Sequence, residues 1–371
     1  MSRAEGLGPR AARLAFATMS QPDSSPAPAG APRRRQSWPA VSVVVPVREE
    51  ARHLGEAVRR ILSQDYPGAL EVVLSVAPSR DATEQVARDL AAHEPRITIV
   101  ANPSGRTPSA LNAALGAARH EVVARVDGHA VLPPDYLRVA VRALEEHGAD
   151  NVGGVMAAEG VSDFEKAVAR AMTTRLGVGG ARFHTGGTAG PADTVYLGVF
   201  RRAALRRVGG YDERFSRAQD WDLNFRIRET GGTVWFTPDL QVSYRPRSTL
   251  AALASQYFDY GTWRRAVGRR HAGTLNVRYL APPAAVLAVL VGTVLGLSGR
   301  RVGYLVPTTY AAGILAGSVV NGRGLSWRPR AWLPLTYATM HGAWGTGFLL
   351  SRERVEERPV DVGSSAAEAQ R

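Results

Sequence analysis

Cysteine is absent from the chain. Disulfides, thiolate nucleophiles and cysteine metal sites are excluded with it, and so is a secreted scaffold stapled by disulfides. Lysine is almost absent: Lys166 stands alone, so arginine carries nearly all of the positive charge behind the formal net value of +13. The arginines form no basic stripe interleaved with aromatics, which argues against a nucleic-acid surface. In ARHLGEAVRR (51–60) they alternate with acids, as on a solvated helix face. The exceptions are PRRRQ (32–36) and Arg264, Arg265, Arg269 and Arg270, which crowd the approach to a strongly apolar region. That placement suits an anionic membrane surface. No GxGxxG follows the first apolar run, and NPSGRTPSALNAAL (102–115) lacks a P-loop lysine. A dinucleotide-binding Rossmann site and a P-loop ATPase are therefore disfavoured. AARLAFATMS (11–20) is too small an apolar patch for a signal peptide.

From residue 41 a regular alternation begins. VSVVVPV (41–47) is wholly apolar apart from one serine and rich in β-branched residues, as for a strand buried on both faces. Further strands are expected at 70–76, 97–101, 121–127, 151–156, 194–200 and 233–236, and helices at 49–64, 81–92 and 108–119. Strands alternating with helices imply an α/β, doubly wound and mostly parallel sheet. The expected organisation is a disordered tail over 1–38, the α/β domain over 39–247, and a juxtamembrane helical segment over 248–280. Two to three transmembrane helices over 281–350 and a polar tail over 351–371 complete it. The apolar stretches 281–297, 302–320 and 331–350 hold no acid or base except His341, and they approach the roughly 20 residues needed to cross a bilayer. The arginines before the first stretch place residues 1–280 in the cytoplasm. Three full crossings would put the basic start of the tail outside, so the third stretch fits this topology least. Because the sheet lies upstream of residue 278, a cut there is expected to release a folded domain.

Ligands of doubly wound sheets bind beyond the carboxyl ends of the strands. Strand one ends in Pro46, Val47, Arg48, Glu49 and Glu50. APSRDAT follows strand two, with Asp81 placed to cap the next helix, and Asp127-Gly128-His129 follows strand four. Taken alone, Asp-Gly is an ordinary turn. SRAQDWDLNFRIRETGG (216–232) reads as a helix ended by glycine, whose Asp220 and Asp222 could simply complement the helix dipole.

The fragments PVREE, PSRDAT, TPSALNAAL, RVDGHAVLP, DTVYLGVFRR, VGGYDE and QDWDLNFRIR, in this order and spacing, resemble the family 2 glycosyltransferases of GT-A fold. The likeness runs over residues 41–263 and is strongest to the membrane-associated exopolysaccharide group typified by the succinoglycan glucosyltransferases. It implies that Asp127 and His129 are this chain's form of the Asp-x-Asp motif, holding a divalent ion (Mg²⁺ or Mn²⁺) against the donor's diphosphate. His129 either ligates that ion or orients phosphate. The resemblance matches Asp220 to the catalytic base. It assigns Pro46, Glu50, Asp81, Asn112, Gly198 and Arg201 to the donor, and Asp193, Trp221, Gln256 and Trp263 to the donor or acceptor loops. No second carboxylate is placed as a nucleophile, so single displacement with inversion is expected. Two departures matter. The family's Asn-Glu after strand one is Glu49-Glu50, and its Asp pair after strand two is Val76-Ala77, which weakens recognition of the base. The Gln-x-x-Arg-Trp motif of processive synthases is reduced to Gln256 with Trp263 nearby, which implies one sugar per visit. The implied activity is transfer of a hexose from a nucleotide sugar, UDP-linked by preference, to a lipid-linked acceptor at a bacterial cell membrane. Other lipids (a carotenoid, diacylglycerol or polyprenyl monophosphate) and a catalytically silent binding protein are the alternatives.

Overall fold

The computed structural model describes residues 38–352. The tails expected at the two ends lie outside the described residues, apart from Trp38, Ser351 and Arg352. The first half alternates β1 (Val41–Val47), α1 (Leu54–Leu62), β2 (Leu70–Val76), α2 (Thr83–His93), β3 (Ile97–Ala101), α3 (Thr107–Ala117), β4 (Val122–Arg125), α4 (Tyr136–Glu146), β5 (Asn151–Ala158) and α5 (Asp163–Met172). Single-turn helices α6 (Arg175–Val178) and α7 (Arg182–Thr185) follow, then β6 (Gly190–Pro191), β7 (Tyr196–Arg201), α8 (Arg202–Arg207), α9 (Gln219–Glu229) and β8 (Val234–Tyr244). Four long helices close the chain: α10 (Leu250–Arg270), α11 (Val277–Leu297), α12 (Leu305–Asn321) and α13 (Trp327–Leu350).

All eight strands form one sheet in the order β3-β2-β1-β4-β7-β5-β8-β6. β7 runs antiparallel to β4 and β5, and β6 antiparallel to β8; the other pairings are parallel. Alternation along β1 shows why the sheet is covered on both faces. Val43 and Val45 pack with Leu54, Val58 and Ile61 of α1 and with Leu137, Val141 and Leu144 of α4. Val44, between them, points the other way and joins Leu111 of α3 with Leu223 and Ile227 of α9. Each such fully buried aliphatic side chain contributes about 1.5–3 kcal/mol, which is why an uninterrupted valine run is stable only at the centre of two layers.

The C-terminal helices differ among themselves. The stretches Val277–Leu297 and Arg301–Asn321 are long and apolar enough to cross a membrane, and both leave most of their side chains uncovered. α13 behaves otherwise. Its Leu333, Tyr337 and Met340 are fully buried in a third core with Phe164, Val168 and Met172 of α5 and Leu253 and Tyr257 of α10. Close contact with α10 depends on two glycines. A Cβ at Gly261 would lie 1.9 Å from the Trp344 carbonyl oxygen, and one at Gly347 would lie 2.1 Å from that of Phe258. One face of the third apolar stretch therefore packs on α5 and α10, and a cut at 278 would remove Leu333, Tyr337 and Met340 from that core.

Candidate active site

The loops after β1 and β2 are stitched together. Glu49, a non-glycine residue at φ 55°, donates its N–H to Ser79 Oγ (3.1 Å) and accepts from the Arg80 N–H (2.9 Å). Glu50 N–H donates to Thr83 Oγ1 at 2.8 Å. Asp81 accepts from the N–H groups of Ala51 (3.1 Å) and Thr83 (3.0 Å) and from the Thr83 hydroxyl. The Thr83 hydroxyl and these N–H groups hold the Asp81 carboxyl below its usual range. Asp81, one residue before the N-cap Ala82, thus takes the first N–H of α2 and, through Thr83, fixes where Glu50 stands. The clasp occupies residues 48–53, so α1 begins at Leu54 instead of at 49.

Glu50 reaches across to the loop after β4. Its Oε1 accepts from His129 Nδ1 at 2.7 Å, and this bond raises the imidazole above its ordinary range. Gly128 makes room for the contact: a Cβ there would meet Glu50 Cγ at 3.1 Å and the Pro46 carbonyl oxygen at 3.5 Å. Pro46, within β1, therefore acts as a wall of this corner.

The centre of the site is Arg125, the last residue of β4 and only 6 % exposed. Its Nη2 donates to Asp127 Oδ1 at 3.1 Å, and its Nη1 donates to Asp220 Oδ1 in a very short contact. Burial works against the guanidinium's charge, but Asp220 and Asp127 outweigh it and hold the group well above its ordinary value. For Asp220 the balance runs the other way. Burial raises its carboxyl above the ordinary aspartate range, while Arg125 pulls it back. About a third of the Asp220 side chain, 35 %, stays open. Such a group is held ionised by one partner and kept basic by its surroundings, as a proton acceptor requires.

Asp220 is presented by the first turn of α9, entered through Ala218 at φ 59°. The neighbouring Asp222 points inward, 1 % exposed. It accepts from Arg226 Nε (2.8 Å) and from His271 Nε2 (2.8 Å), tying α9 to the end of α10. One aspartate of the motif ties two helices together, and the other stays partly open beside Arg125.

The remaining sequence candidates divide. Gly198 pairs with Arg125 across β4 and β7, and a Cβ there would strike the Phe200 ring at 2.5 Å and Asn151 Oδ1 at 2.7 Å. Gln256 donates to the hydroxyls of Tyr244 (2.9 Å) and Tyr260 (2.8 Å). Gln256 thus ties the end of β8 to α10. Trp221 stacks on Phe225 at 5.3 Å, and Trp263 lies 6.3 Å from Phe215. Asp193 is exposed, 3.8 Å from Arg228. Two candidates are corrected. Arg201 pairs with Val122 at the opening of β4 and bonds the carbonyls of Ala149 and Leu144. It sits at the wrong edge of the sheet because β7 runs antiparallel. Asn112 accepts from the Tyr211 N–H (2.9 Å) and donates to the Tyr211 carbonyl (2.8 Å) and Glu213 (3.0 Å). Its amide clamps α3 to the 211–213 turn.

Residues 39–259 match the family described as glycosyltransferase like family 2. The chain is a family 2 glycosyltransferase. It is 32 % identical to the succinoglycan biosynthesis protein ExoA of Rhizobium meliloti over 82 % of this chain and 93 % of that one. It is 28 % identical to the beta-monoglucosyldiacylglycerol synthase of a Synechocystis strain, over 74 % of this chain and 61 % of that protein. A mannosyltransferase of Pyrobaculum calidifontis, solved with GDP-Man and Mn²⁺, superposes with a TM-score of 0.56 over 86 % of this chain and 89 % of that one, at 23 % identity. The GT-A fold expected of the sequence is thus the fold of this glycosyltransferase.

Arg125, Thr83 and His271 are functional or positioning residues that sequence reasoning missed. For Arg125 a signal was available. A charge closing an apolar strand buried on both faces demands a partner, and VVARVD supplies one candidate two residues on. Thr83 and His271 carry no comparable mark.

Proposed function

We propose that this glycosyltransferase moves a hexose from a nucleotide diphosphate sugar, UDP-linked by preference, to a lipid-linked acceptor. The transfer is a single displacement with inversion, one sugar per visit, in exopolysaccharide or glycolipid assembly. The observation that carries the reading is the sharing of the Arg125 guanidinium by Asp127 and Asp220 at the carboxyl edge of the sheet. Asp220 accepts the proton of the acceptor hydroxyl as its oxygen attacks the anomeric carbon and the bond to the diphosphate breaks. Asp127 and His129 face the diphosphate.

Asp127 Oδ2 makes no hydrogen bond within the described residues, and the Glu50 contact occupies only Nδ1 of His129. Asp127 Oδ2 and His129 Nε2 are therefore the atoms suited to a divalent cation, with Glu50 orienting the imidazole as carboxylates commonly do for metal-bound histidines. Among the described residues there is no cluster of three or more metal-ligating side chains, so the remaining ligands would be diphosphate and water oxygens. A bound Mg²⁺ or Mn²⁺ would neutralise the charge of the leaving diphosphate.

We further read α11 and α12 as a membrane hairpin that keeps the catalytic body on the cytoplasmic side, in keeping with the arginines at the end of α10. The likeness to the diacylglycerol-type synthase makes diacylglycerol the second acceptor to test. The test is nucleotide release by the purified full chain in lipid, screened across UDP-, GDP- and dTDP-sugars, with polyprenyl-linked sugars and diacylglycerol as acceptors. Release stimulated by a lipid acceptor supports the reading; no release with any donor sinks it.

A further inference from the structure

Beside the Asp220 site lie two cations without counter-ions. Arg264 of α10 is 7 % exposed and lies between two rings, 4.2 Å from the centroid of Trp221 and 4.0 Å from that of Tyr279. Its Nη2 donates to the Thr274 carbonyl at 2.5 Å, but its Nε and Nη1, both buried, donate to nothing. Arg278, in the first turn of α11, stands 4.5 Å from the same Tyr279 ring. Its Nη2 donates to the Tyr279 hydroxyl, and its Nε is buried and unbonded. Trp221 Nε1 is a further buried donor with no acceptor. Neither arginine forms an ion pair among the described residues, and Asp193, whose charge reaches Arg264, is itself exposed.

Buried donors are nearly always satisfied, so several orphans converging on one place mark a missing acceptor. Stacking between rings desolvates a guanidinium but satisfies none of its N–H groups. Burial brings Arg264 down to about 10, so it keeps its charge at neutral pH. The absent partner is accordingly an anion with several oxygens, and paired guanidinium forks suit phosphate. Two placements identify which phosphate. Trp221 follows Asp220 in the first turn of α9, so the site and the proposed base are carried by the same helix end. Arg278 opens the apolar helix α11, whose next turns expose Leu280, Leu287 and Leu290. A ligand here meets charge at one end and an uncovered apolar surface at the other.

We propose that Arg264 and Arg278, with Trp221 Nε1, form an anion subsite for the phosphate or diphosphate of the lipid-linked acceptor, separate from the place of the donor's diphosphate at Asp127 and His129. This rests on the lipid-linked acceptor proposed above and adds the acceptor's chemical class, a lipid phosphate.

The full chain in detergent micelles is titrated with farnesyl diphosphate, farnesyl monophosphate, farnesol and UDP. Either Arg264→Gln or Arg278→Gln should weaken farnesyl diphosphate at least tenfold, leave UDP within twofold, and abolish the preference for the diphosphate over farnesol. Arg264→Lys should recover part of the loss. Because Arg264 is buried, Arg278→Gln carries the test if Arg264→Gln melts early. Unchanged farnesyl diphosphate affinity in a folded Arg278→Gln overturns the subsite, as does a wild type that binds farnesol equally well. A parallel loss of UDP reassigns the arginines to the donor and overturns it too. Sugar transfer to a polyprenyl-linked acceptor with KM unchanged in Arg278→Gln sinks the subsite and leaves the proposed function standing. Arginine-dependent binding of farnesyl diphosphate with no donor turned over supports the subsite and sinks the proposed function.

Discussion

Asp127 and Asp220, one from the loop after β4 and the other from α9, are held on the same guanidinium. On the proposed function, Arg125 thereby sets the spacing between the carboxylate that faces the leaving group and the one that removes the proton. Burial pushes the Asp220 carboxyl above the ordinary aspartate range, against the pull of Arg125.

Asp220→Asn should lower turnover by at least about two orders of magnitude, the usual range for a general base. Donor affinity should stay within a few-fold, since the carboxylate acts in the transition state. Initial rates of nucleotide release and calorimetric UDP binding measure the two separately. Turnover within a few-fold of wild type would remove Asp220 from the chemistry.

Asp127→Ala should weaken UDP and Mn²⁺ together, because the diphosphate loses its link to the protein through the ion. His129→Ala should weaken both less and shift the preference between Mn²⁺ and Mg²⁺, imidazole being a better ligand for manganese than for magnesium. Undiminished, metal-independent UDP binding in Asp127→Ala would refute the ligand assignment.

The Glu50 contact raises the His129 imidazole, and the sign of the consequence can be worked out. What this pair contributes to stability is present in full below the ordinary imidazole pKa and fades as pH rises through the elevated folded value. Metal binding runs oppositely, since Nε2 must be unprotonated to ligate. Mn²⁺ affinity measured in the presence of UDP should therefore climb with pH above the ordinary imidazole range. Glu50→Gln should move that climb to lower pH. An affinity flat between about pH 5 and 8, where histidine normally titrates, would exclude His129 as a ligand.

Truncation at residue 278 should yield a protein that aggregates or melts well below the full chain. It removes Leu333, Tyr337 and Met340 from the core they share with α5 and α10. At about 1.5–3 kcal/mol for each large side chain, the loss rivals the whole stability of a typical domain, about 5–15 kcal/mol. A soluble 1–278 fragment with an unchanged melting temperature would contradict the role given to α13.

The alternation that yields the sheet was legible because buried parallel strands must be apolar on both faces. β1, β2 and β3 fall where VSVVVPV, LEVVLSV and ITIVA place them. Strand direction was not legible. YLGVFR reads as apolar whichever way it runs, and the resemblance gives Arg201 to the donor although its antiparallel strand carries it to the opposite edge. Charge hid a second distinction. Arg264 reads like Arg265, Arg269 and Arg270, yet it is buried between rings. For the third apolar stretch, hydropathy cannot tell contact with lipid from contact with α5 and α10. Gly261 and Gly347 mark where α10 and α13 touch at the backbone.

The hairpin of α11 and α12 interrupts a core whose two halves lie on either side of it in the chain. During synthesis α13 follows α5, α10 and the hairpin, and until it arrives Phe164, Leu253 and Tyr257 lack the Leu333, Tyr337 and Met340 side chains of their shared core. If the hairpin enters the bilayer as proposed, membrane integration comes before the catalytic body can finish folding. On that reading the enzyme would mature only at the membrane, and the packing that completes its fold would also set how the Asp220 site stands relative to the lipid surface.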